Sequence, residues 1–510
     1  MLARVDSATI VGIEAHGVTV EVYVSRGKFA FEIVGLPDAA AKEGRERVIA
    51  AVRNSQYIFP GDRTTINLAP ADIKKEGPAF DLPIAVGVLA ATGQLQADGL
   101  DKCCLTGELS LDGSVRPVNG VLPMALRARA DGKERILVPH ANAREAAVVD
   151  GIETYAVNSL YDAATMLEND FVGAEPVIPA PEDLDLEHPP YGEDMADVKA
   201  QPMAKRALEV CAAGGHNALM VGPPGAGKTM LARRLPTIMP PLSQAEALEI
   251  TKVYSISGKL RGSSLIRIRP FRAPHHTVSE AGLVGGGSTP TPGEISLAHR
   301  GVLFMDELPE FSRGALEALR QPMEDGHVTI SRAQASYTYP ASLMVVAAMN
   351  PCPCGHYTDS LKPCTCSPHQ IRKYLARLSG PLLDRIDIHV EVPRLAPEEL
   401  EQFAPSEPSD VIRARVRLAR QRQTERFAGS GIHCNADMTA GAIREFCKLT
   451  NDVASLLRAA VDQFGLSARA YDRILKLSRT IADLEGAESL LVHHVAEAVQ
   501  YRSLDRKLWA

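Results

Sequence analysis

The chain runs to 510 residues, room for roughly three domains at about 150 residues each. Apolar residues make up 45 % and charged residues 23 %, and 55 Lys+Arg against 62 Asp+Glu leave a formal net charge of −7. These values suit a soluble globular protein and exclude one coated in positive charge, while a locally basic channel stays open.

No apolar run approaches the ~18–20 residues of a membrane span. The N-terminus enters a strand-like alternation at once, with no signal-peptide pattern. The nine cysteines are an odd number, four of them between positions 352 and 366. That usage predicts a reducing, cytoplasmic setting, and the lack of an apolar span predicts no membrane partner.

Taken in order, Ala8 to Glu14 and Val18 to Val24 alternate at period two and read as strands, with Gly17 marking the turn between them. Asp38 to Arg53 reads as a helix entered through Leu36-Pro37-Asp38, and Leu82 to Thr92 as a second helix after Gly77-Pro78. From Ala174 to Tyr191 the pattern breaks into Pro, Glu and Asp, a stiff segment that buries little. Asp194 to Val392 alternates buried strands and helices, as a doubly wound sheet does. After Pro393 the chain turns helical. The expected division is an α/β domain over 1–172, a Pro-rich linker over 173–192, a P-loop core over 193–393 and a helical lid over 394–510.

Gly222-Pro223-Pro224-Gly225-Ala226-Gly227-Lys228-Thr229 matches the GxxxxGK[ST] phosphate loop, between an apolar run and a helix. Its glycines let backbone N–H groups converge on phosphate oxygens, and the helix start adds a positive dipole end. Lys228 is expected on the β/γ-phosphates of ATP and Thr229 on Mg²⁺. Downstream, Gly301 to Met305 is an apolar run ending in Asp306-Glu307. Asp306 suits the Mg²⁺ shell and Glu307 the polarisation of attacking water. A third run, Leu343 to Met349, ends at Asn350, whose amide can orient that water.

Cys352, Cys354, Cys364 and Cys366 form C-x-C…C-x-C, and four thiolates can surround a structural Zn²⁺. The spacing is tighter than the usual knuckle, His356 and His369 are alternative ligands, and four reduced cysteines in an exposed loop are the other reading. Arg413, Arg415, Arg417, Arg420, Arg422 and Arg426 make a basic helix, read either as a Glu-paired face or as a nucleic-acid contact.

The strings Lys205-Arg-Ala-Leu-Glu, Ala213-Gly-Gly-His-Asn, Pro270-Phe-Arg-Ala-Pro-His-His-Thr277, Gly293 to Val302, Asn350-Pro-Cys-Pro-Cys-Gly355 and Gly380 to Asp387 resemble those of magnesium-chelatase-like AAA+ ATPases. More narrowly, nearly the whole chain resembles the ComM/YifB family, apart from Ala200, where that family's pattern suggests Gly. The resemblance implies a Lon-protease-like N-terminal domain, an AAA+ core and a magnesium-chelatase-type C-terminal lid. It implies Arg385 as an arginine finger completing a neighbour's site, and Arg469 as a sensor arginine, with Arg473 as the fallback. A finger acting in trans implies a ring, and the family a hexamer.

The implied activity is ATP-driven translocation on single-stranded or branched DNA, promoting branch migration in recombination of imported DNA, with recombination proteins as partners. The alternative is the ATPase subunit of a metal-insertion or other remodelling complex. A Lon-type peptidase pairs Ser with Lys, but Ala79 and Leu122 stand at those positions, so peptidase chemistry is not expected. Two inserted segments, a flexible loop over Thr277 to Glu294 and a β-hairpin over His327 to Tyr339 with Arg332 near its turn, are candidates for DNA contact in the pore.

Overall fold

Val18, Val20 and Val22 are buried while Glu21 between them is not, the signature of a strand packed on one face. They belong to Glu14–Ser25, which pairs antiparallel with Leu2–Val11 in the register Val5↔Val20. The turn between these strands falls at Gly12, with φ +66°, and not at Gly17, which lies inside the second strand opposite Ala8. Glycine at 17 answers a packing need: a Cβ there would stand 2.8 Å from an Asp131 carboxylate oxygen.

The computed structural model describes residues 1–395, 406–502 and 504, excepting 76, 261, 288–289, 332–335, 358, 360 and 465. The chain divides into two units. Met1–Leu186, Ser243–Arg267 and Ser331–Tyr339 form the first, and Glu187–Leu242, Ile268–Ile330 and Pro340–Ala510 the second. Among the described residues no helix is long and apolar enough to cross a membrane.

The first unit is built on a mixed seven-stranded sheet. Its order is Ala30–Val34, Arg63–Ala69, Glu14–Ser25, Leu2–Val11, Cys103–Leu105, Arg135–Pro139 and Glu153–Val157. The last three run parallel to Leu2–Val11, Glu14–Ser25 pairs antiparallel with both Leu2–Val11 and Arg63–Ala69, and the edge strand Ala30–Val34 runs parallel to Arg63–Ala69. Helix Ala39–Asn54 starts where the Asp38 carboxylate accepts the Ala41 N–H at 2.8 Å, relieving one orphan donor of the first turn. Helix Asp81–Ala91 is apolar and almost wholly buried, which suits a helix laid inside a core rather than along a surface.

The second unit holds a five-stranded parallel sheet in the order Phe271–Arg272, Val302–Met305, Met344–Met349, Ala218–Val221, Ile388–Glu391. The C-terminal helices close over it: Ile412, Val416, Ile474 and Ile481 share one apolar core with Ala218, Met220 and Val346. Each arginine of helix Ser409–Arg426 is engaged within this unit. Arg415 reaches Glu209 at 2.7 Å, Arg417 reaches Glu187 at 2.8 Å, and Arg413, Arg420 and Arg422 donate to the carbonyls of Thr237, Ala212 and Asp483. This basic face is therefore intramolecular, part ion-paired and part bound to helix ends.

At the centre of the C-terminal helices the buried Asp483 carboxylate accepts from Arg426 at 2.8 Å, Arg479 at 3.1 Å and Asn435 at 2.8 Å. Removing it strands two cations, one of them buried. Asp483→Ala is expected to cost about 3–5 kcal/mol, read as a fall in the thermal midpoint of the second unit by calorimetry. A midpoint unchanged from the parent would show that the network is dispensable.

Both inserted segments hold regular elements among the described residues. Thr277 to Glu294 does not form the expected flexible loop. It holds helix Glu280–Val284 and a hairpin of Gly285–Gly286 with Thr291–Pro292, and it buries Leu283 completely. Gly285 lies so close to the Thr291 carbonyl that a Cβ would approach it to 2.5 Å, a reason for glycine at the first position of the run. The second insertion supplies strands His327–Ser331 and Ser336–Pro340 of a two-stranded sheet, while Arg332 lies outside the described residues.

Candidate functional site

Three buried strands of the second unit lie side by side and parallel, in the register Met305↔Ala347 and Val221↔Met349. Asp306-Glu307, Asn350 and the loop from Gly222 therefore leave the same edge of the sheet, the carboxyl edge where open α/β sheets bind ligands. Together they frame a cavity of about 440 Å³, lined by Pro224 to Met230 with Asp306, Glu307, Met349 and Asn350. The space suits a nucleotide-sized ligand.

Only glycine fits at 222, because a Cβ would stand 2.0 Å from the Val392 carbonyl oxygen. Gly225 and Gly227 take φ of +78° and +90° as the loop turns into helix Lys228–Ile238, values open to glycine without steric cost. Lys228 is buried, and its Nζ donates to the carbonyls of Gly222 (2.6 Å) and Pro223 (3.0 Å) and to Asn350 Oδ1 (3.2 Å). Burial pulls the ammonium below the ordinary lysine range, and the Asp306 and Glu307 carboxylates oppose that shift. A bound polyphosphate would add to the opposing side.

Thr229 Oγ1 donates to Asp306 Oδ2 at 2.8 Å. An octahedral Mg²⁺ with bonds of 2.0–2.1 Å needs adjacent ligand oxygens about 2.9 Å apart, so this pair matches one edge of its shell. Glu307 has φ +52°, a left-handed value costing a non-glycine residue about 1–2 kcal/mol. Its N–H donates to Asp306 Oδ1 at 2.9 Å, and its carboxylate lies 3.2 Å from His276 Nδ1. Strain of this kind collects at working sites. Sequence alone assigns no role to His276. Its signal, a polar residue just after the strand that borders Val302–Met305, depends on knowing the strand order.

Arg385 and Arg469 do not line this cavity. Arg385 precedes strand Ile388–Glu391, whereas Gly222 packs against Val392 at that strand's far end, about 13 Å of strand away. Its guanidinium is buried and meets Glu324 and the Pro381 carbonyl, with Nε buried and unpartnered among the described residues. It pairs with neither Asp384 nor Asp387. The exposed Arg469 stands in the first turn of helix Ala468–Glu485. The hydrogen bond from Arg385, then the charges of Arg385 and Arg469, hold the Glu324 carboxyl below its ordinary range despite some burial. The two arginines thus share one patch. Arg473 is committed elsewhere, to Asp387 and the Arg385 carbonyl. Burial opposes charge on Asp387, yet Arg473, His216 and the Asn217 N–H hold it ionised, far below the usual carboxylate range.

The four cysteines converge. Sulfur separations are 3.3 Å for Cys352–Cys354, 3.7 Å for Cys352–Cys364 and 3.6 Å for Cys354–Cys364, and all four sulfurs lie within 4.8 Å of one another. Zn–S bonds near 2.3 Å set tetrahedral edges of about 3.8 Å. The Cys354 and Cys366 N–H groups donate to sulfurs of the cluster at 3.4 Å. His356 is turned to Asp359 at 2.9 Å, and His369 is exposed.

In the first unit, Ala79 sits in the turn before helix Asp81–Ala91 and Leu122 at the start of helix Val121–Ala130, both buried. Thr106 Oγ1 bridges the two places, 3.5 Å from the Ala79 carbonyl and 3.4 Å from the Met124 sulfur. A methyl group and an isobutyl group there can neither attack a carbonyl nor take a proton.

A parallel sheet with a phosphate loop, an Asp-Glu pair and an Asn on three adjacent strand ends defines a P-loop ATPase of the AAA+ class. The comparisons agree: the family "Magnesium chelatase, subunit ChlI" matches residues 194–400, "Subunit ChlI of Mg-chelatase" matches 20–142, and the ChlI C-terminal family matches 406–502. YifB of Escherichia coli K12 is 44 % identical over 508 residues, 99 % of this chain and 98 % of that protein. The competence protein ComM of Haemophilus influenzae is 46 % identical over 512 residues, with the same coverage. Lon protease 2 of Bacillus subtilis is 29 % identical over 123 residues, 24 % of this chain and 22 % of that protein. The chain belongs to the ComM/YifB family of magnesium-chelatase-like AAA+ ATPases, with a Lon-protease-like region at its N-terminus.

Proposed function

We propose that the protein is a hexameric, ATP-driven DNA motor of the cytoplasm that promotes branch migration of recombining DNA, including DNA taken up from outside. The observation that carries the motor is the placement of Arg385 at the sheet edge away from its own cavity. An arginine there can serve a nucleotide only on a neighbouring subunit, and serial sites between subunits are what a ring motor uses. In this reading Lys228 and the loop N–H groups hold ATP, Thr229 and Asp306 hold Mg²⁺, and Glu307 and Asn350 orient water. Arg385 and Arg469 come from the next subunit. The magnesium supplies charge neutralisation at the phosphates. The DNA part leans on the similarity to a competence protein and on two inserted hairpins flanking the Asp306 strand. With Ala79 and Leu122 in place of a dyad, the Lon-like region supports assembly or DNA contact. The four cysteines hold a structural zinc.

The test is ATP turnover with and without single-stranded and branched DNA. DNA is expected to stimulate turnover several-fold, and Lys228→Ala to abolish it, because among the described residues no other ammonium lines the cavity. Turnover indifferent to every DNA would overturn the motor and favour the reading as an ATPase subunit of a metal-insertion complex.

A further inference from the structure

The turn that carries Cys352 and Cys354 is also a support of the nucleotide cavity. Gly355, with φ +85°, follows Cys354 directly, and its N–H donates to the Cys352 carbonyl at 3.0 Å. A Cβ on Gly355 would stand 2.5 Å from Pro224 Cδ and 2.8 Å from Cγ, so the turn lies flat against the phosphate loop. Pro224 lines the cavity. On the other side, Cys352 is two residues from Asn350, whose Oδ1 accepts from Lys228. The cysteine turn therefore meets the cavity twice, once through Pro224 and once through Asn350.

Among the described residues, no helix or strand organises the chain between Met349 and Pro368. Hydrogen bonds within the turn, the sulfur cluster, the packing of Gly355 on Pro224 and an ion pair of Asp359 with Arg394 at 3.8 Å hold it in place. Sulfurs 3.3–3.7 Å apart are too distant for disulfides, whose S–S bond is about 2.05 Å. All four lie close enough for one ion, whereas a two-iron cluster divides its thiolates between two metals. A tetrahedral set of four thiolates with no open position suits a structural metal, zinc above the others because its filled d shell imposes no geometry of its own and carries no redox chemistry.

We infer that a zinc ion on Cys352, Cys354, Cys364 and Cys366 holds the phosphate loop and Asn350 in register, so that metal occupancy sets the affinity for nucleotide. The inference rests on the reading of the 440 Å³ cavity as an ATP site. Metal binding contributes its free energy to the fold around it, and here that fold includes the cavity wall.

The experiment uses the full chain and three readouts: metal content by mass spectrometry, equilibrium binding of a fluorescent ATP analogue, and hydrogen exchange of amides 222–229. Zinc-supplied parent protein is expected to hold one zinc per chain. Cys364→Ser, at a half-exposed cysteine, is expected to lose it, to weaken the analogue at least tenfold, and to speed exchange in the loop. Gly355→Ala is expected to keep zinc yet weaken the analogue, because its methyl group pushes on Pro224. Parent protein with no zinc, or with stoichiometric iron instead, would overturn the metal assignment. Zinc-free protein with parental affinity and parental loop exchange would overturn the coupling. Zinc-loaded parent that fails to bind the analogue would overturn the ATP reading and the affinity claim with it, while loop exchange would still report whether zinc holds the loop.

Discussion

Glu307→Gln is expected to bind ATP about as well as the parent and to turn it over about 10²–10⁴-fold more slowly, the range for removing a general base. Glutamine has nearly the shape of glutamate, so it can keep the approach to His276 and the backbone turn at φ +52°. What it cannot do is take a proton from water. The groups assigned to phosphate and metal, Lys228, Thr229 and Asp306, are untouched and keep their mutual contacts. The checks are single-turnover hydrolysis and equilibrium binding of a fluorescent ATP analogue on the same preparation. Turnover within threefold of the parent would remove Glu307 from the chemistry. A loss of binding equal to the loss of rate would mean that it holds the ligand instead.

The parts of this site that the sequence displays are those whose signals are local. A buried apolar run followed by Gly-rich turn, acid pair or amide is written in consecutive residues, so Asp306, Glu307 and Asn350 can be placed on strand ends, and Lys228 at the helix start after its loop, without a structure. The structure adds that the three strands are neighbours, which follows from the order of the sheet and from nothing in any one segment. Gly12 and Gly17 punctuate the same alternation, so the pattern alone points to a turn at Gly17 where the chain turns at Gly12. What separates them is the Asp131 carboxylate against Gly17, more than a hundred residues away in the chain.

The segment from Thr277 to Glu294 shows the same limit. Three consecutive glycines read as slack, yet two of them pair in a hairpin, and at Gly285 the close backbone approach excludes a Cβ. For the cysteines, spacing alone does not separate thiolates from the nearby His356 and His369 as ligands. The structure turns His356 to Asp359 and leaves four sulfurs together. For the basic helix, composition could not tell solvent from neighbour, because the carbonyls that receive Arg413, Arg420 and Arg422 belong to other helices.

The position of Arg385 makes the second large effect the most discriminating. Arg385→Ala is expected to lower turnover by about 10³-fold or more, the scale of an arginine finger, while ATP binding changes only a few-fold. The variant should fold, because the carboxylate it leaves behind, Glu324, is half exposed and can return to water. Loss of rate alone would not distinguish a finger in trans from a prop for strand Ile388–Glu391. Mixing does. Lys228→Ala subunits have dead cavities but intact Arg385, and Arg385→Ala subunits have intact cavities but no finger. Each is inactive alone. In mixed rings, an Arg385→Ala cavity that faces a Lys228→Ala neighbour regains every group it needs, so turnover should reappear and rise with the mixing ratio to a maximum near equal parts. If Arg385 acts within its own subunit, no mixture can repair it. Mixed oligomers that form, as seen by differential tagging, and stay inactive at every ratio would therefore assign Arg385 to the fold of its own subunit, and the argument for a ring from its position would fall.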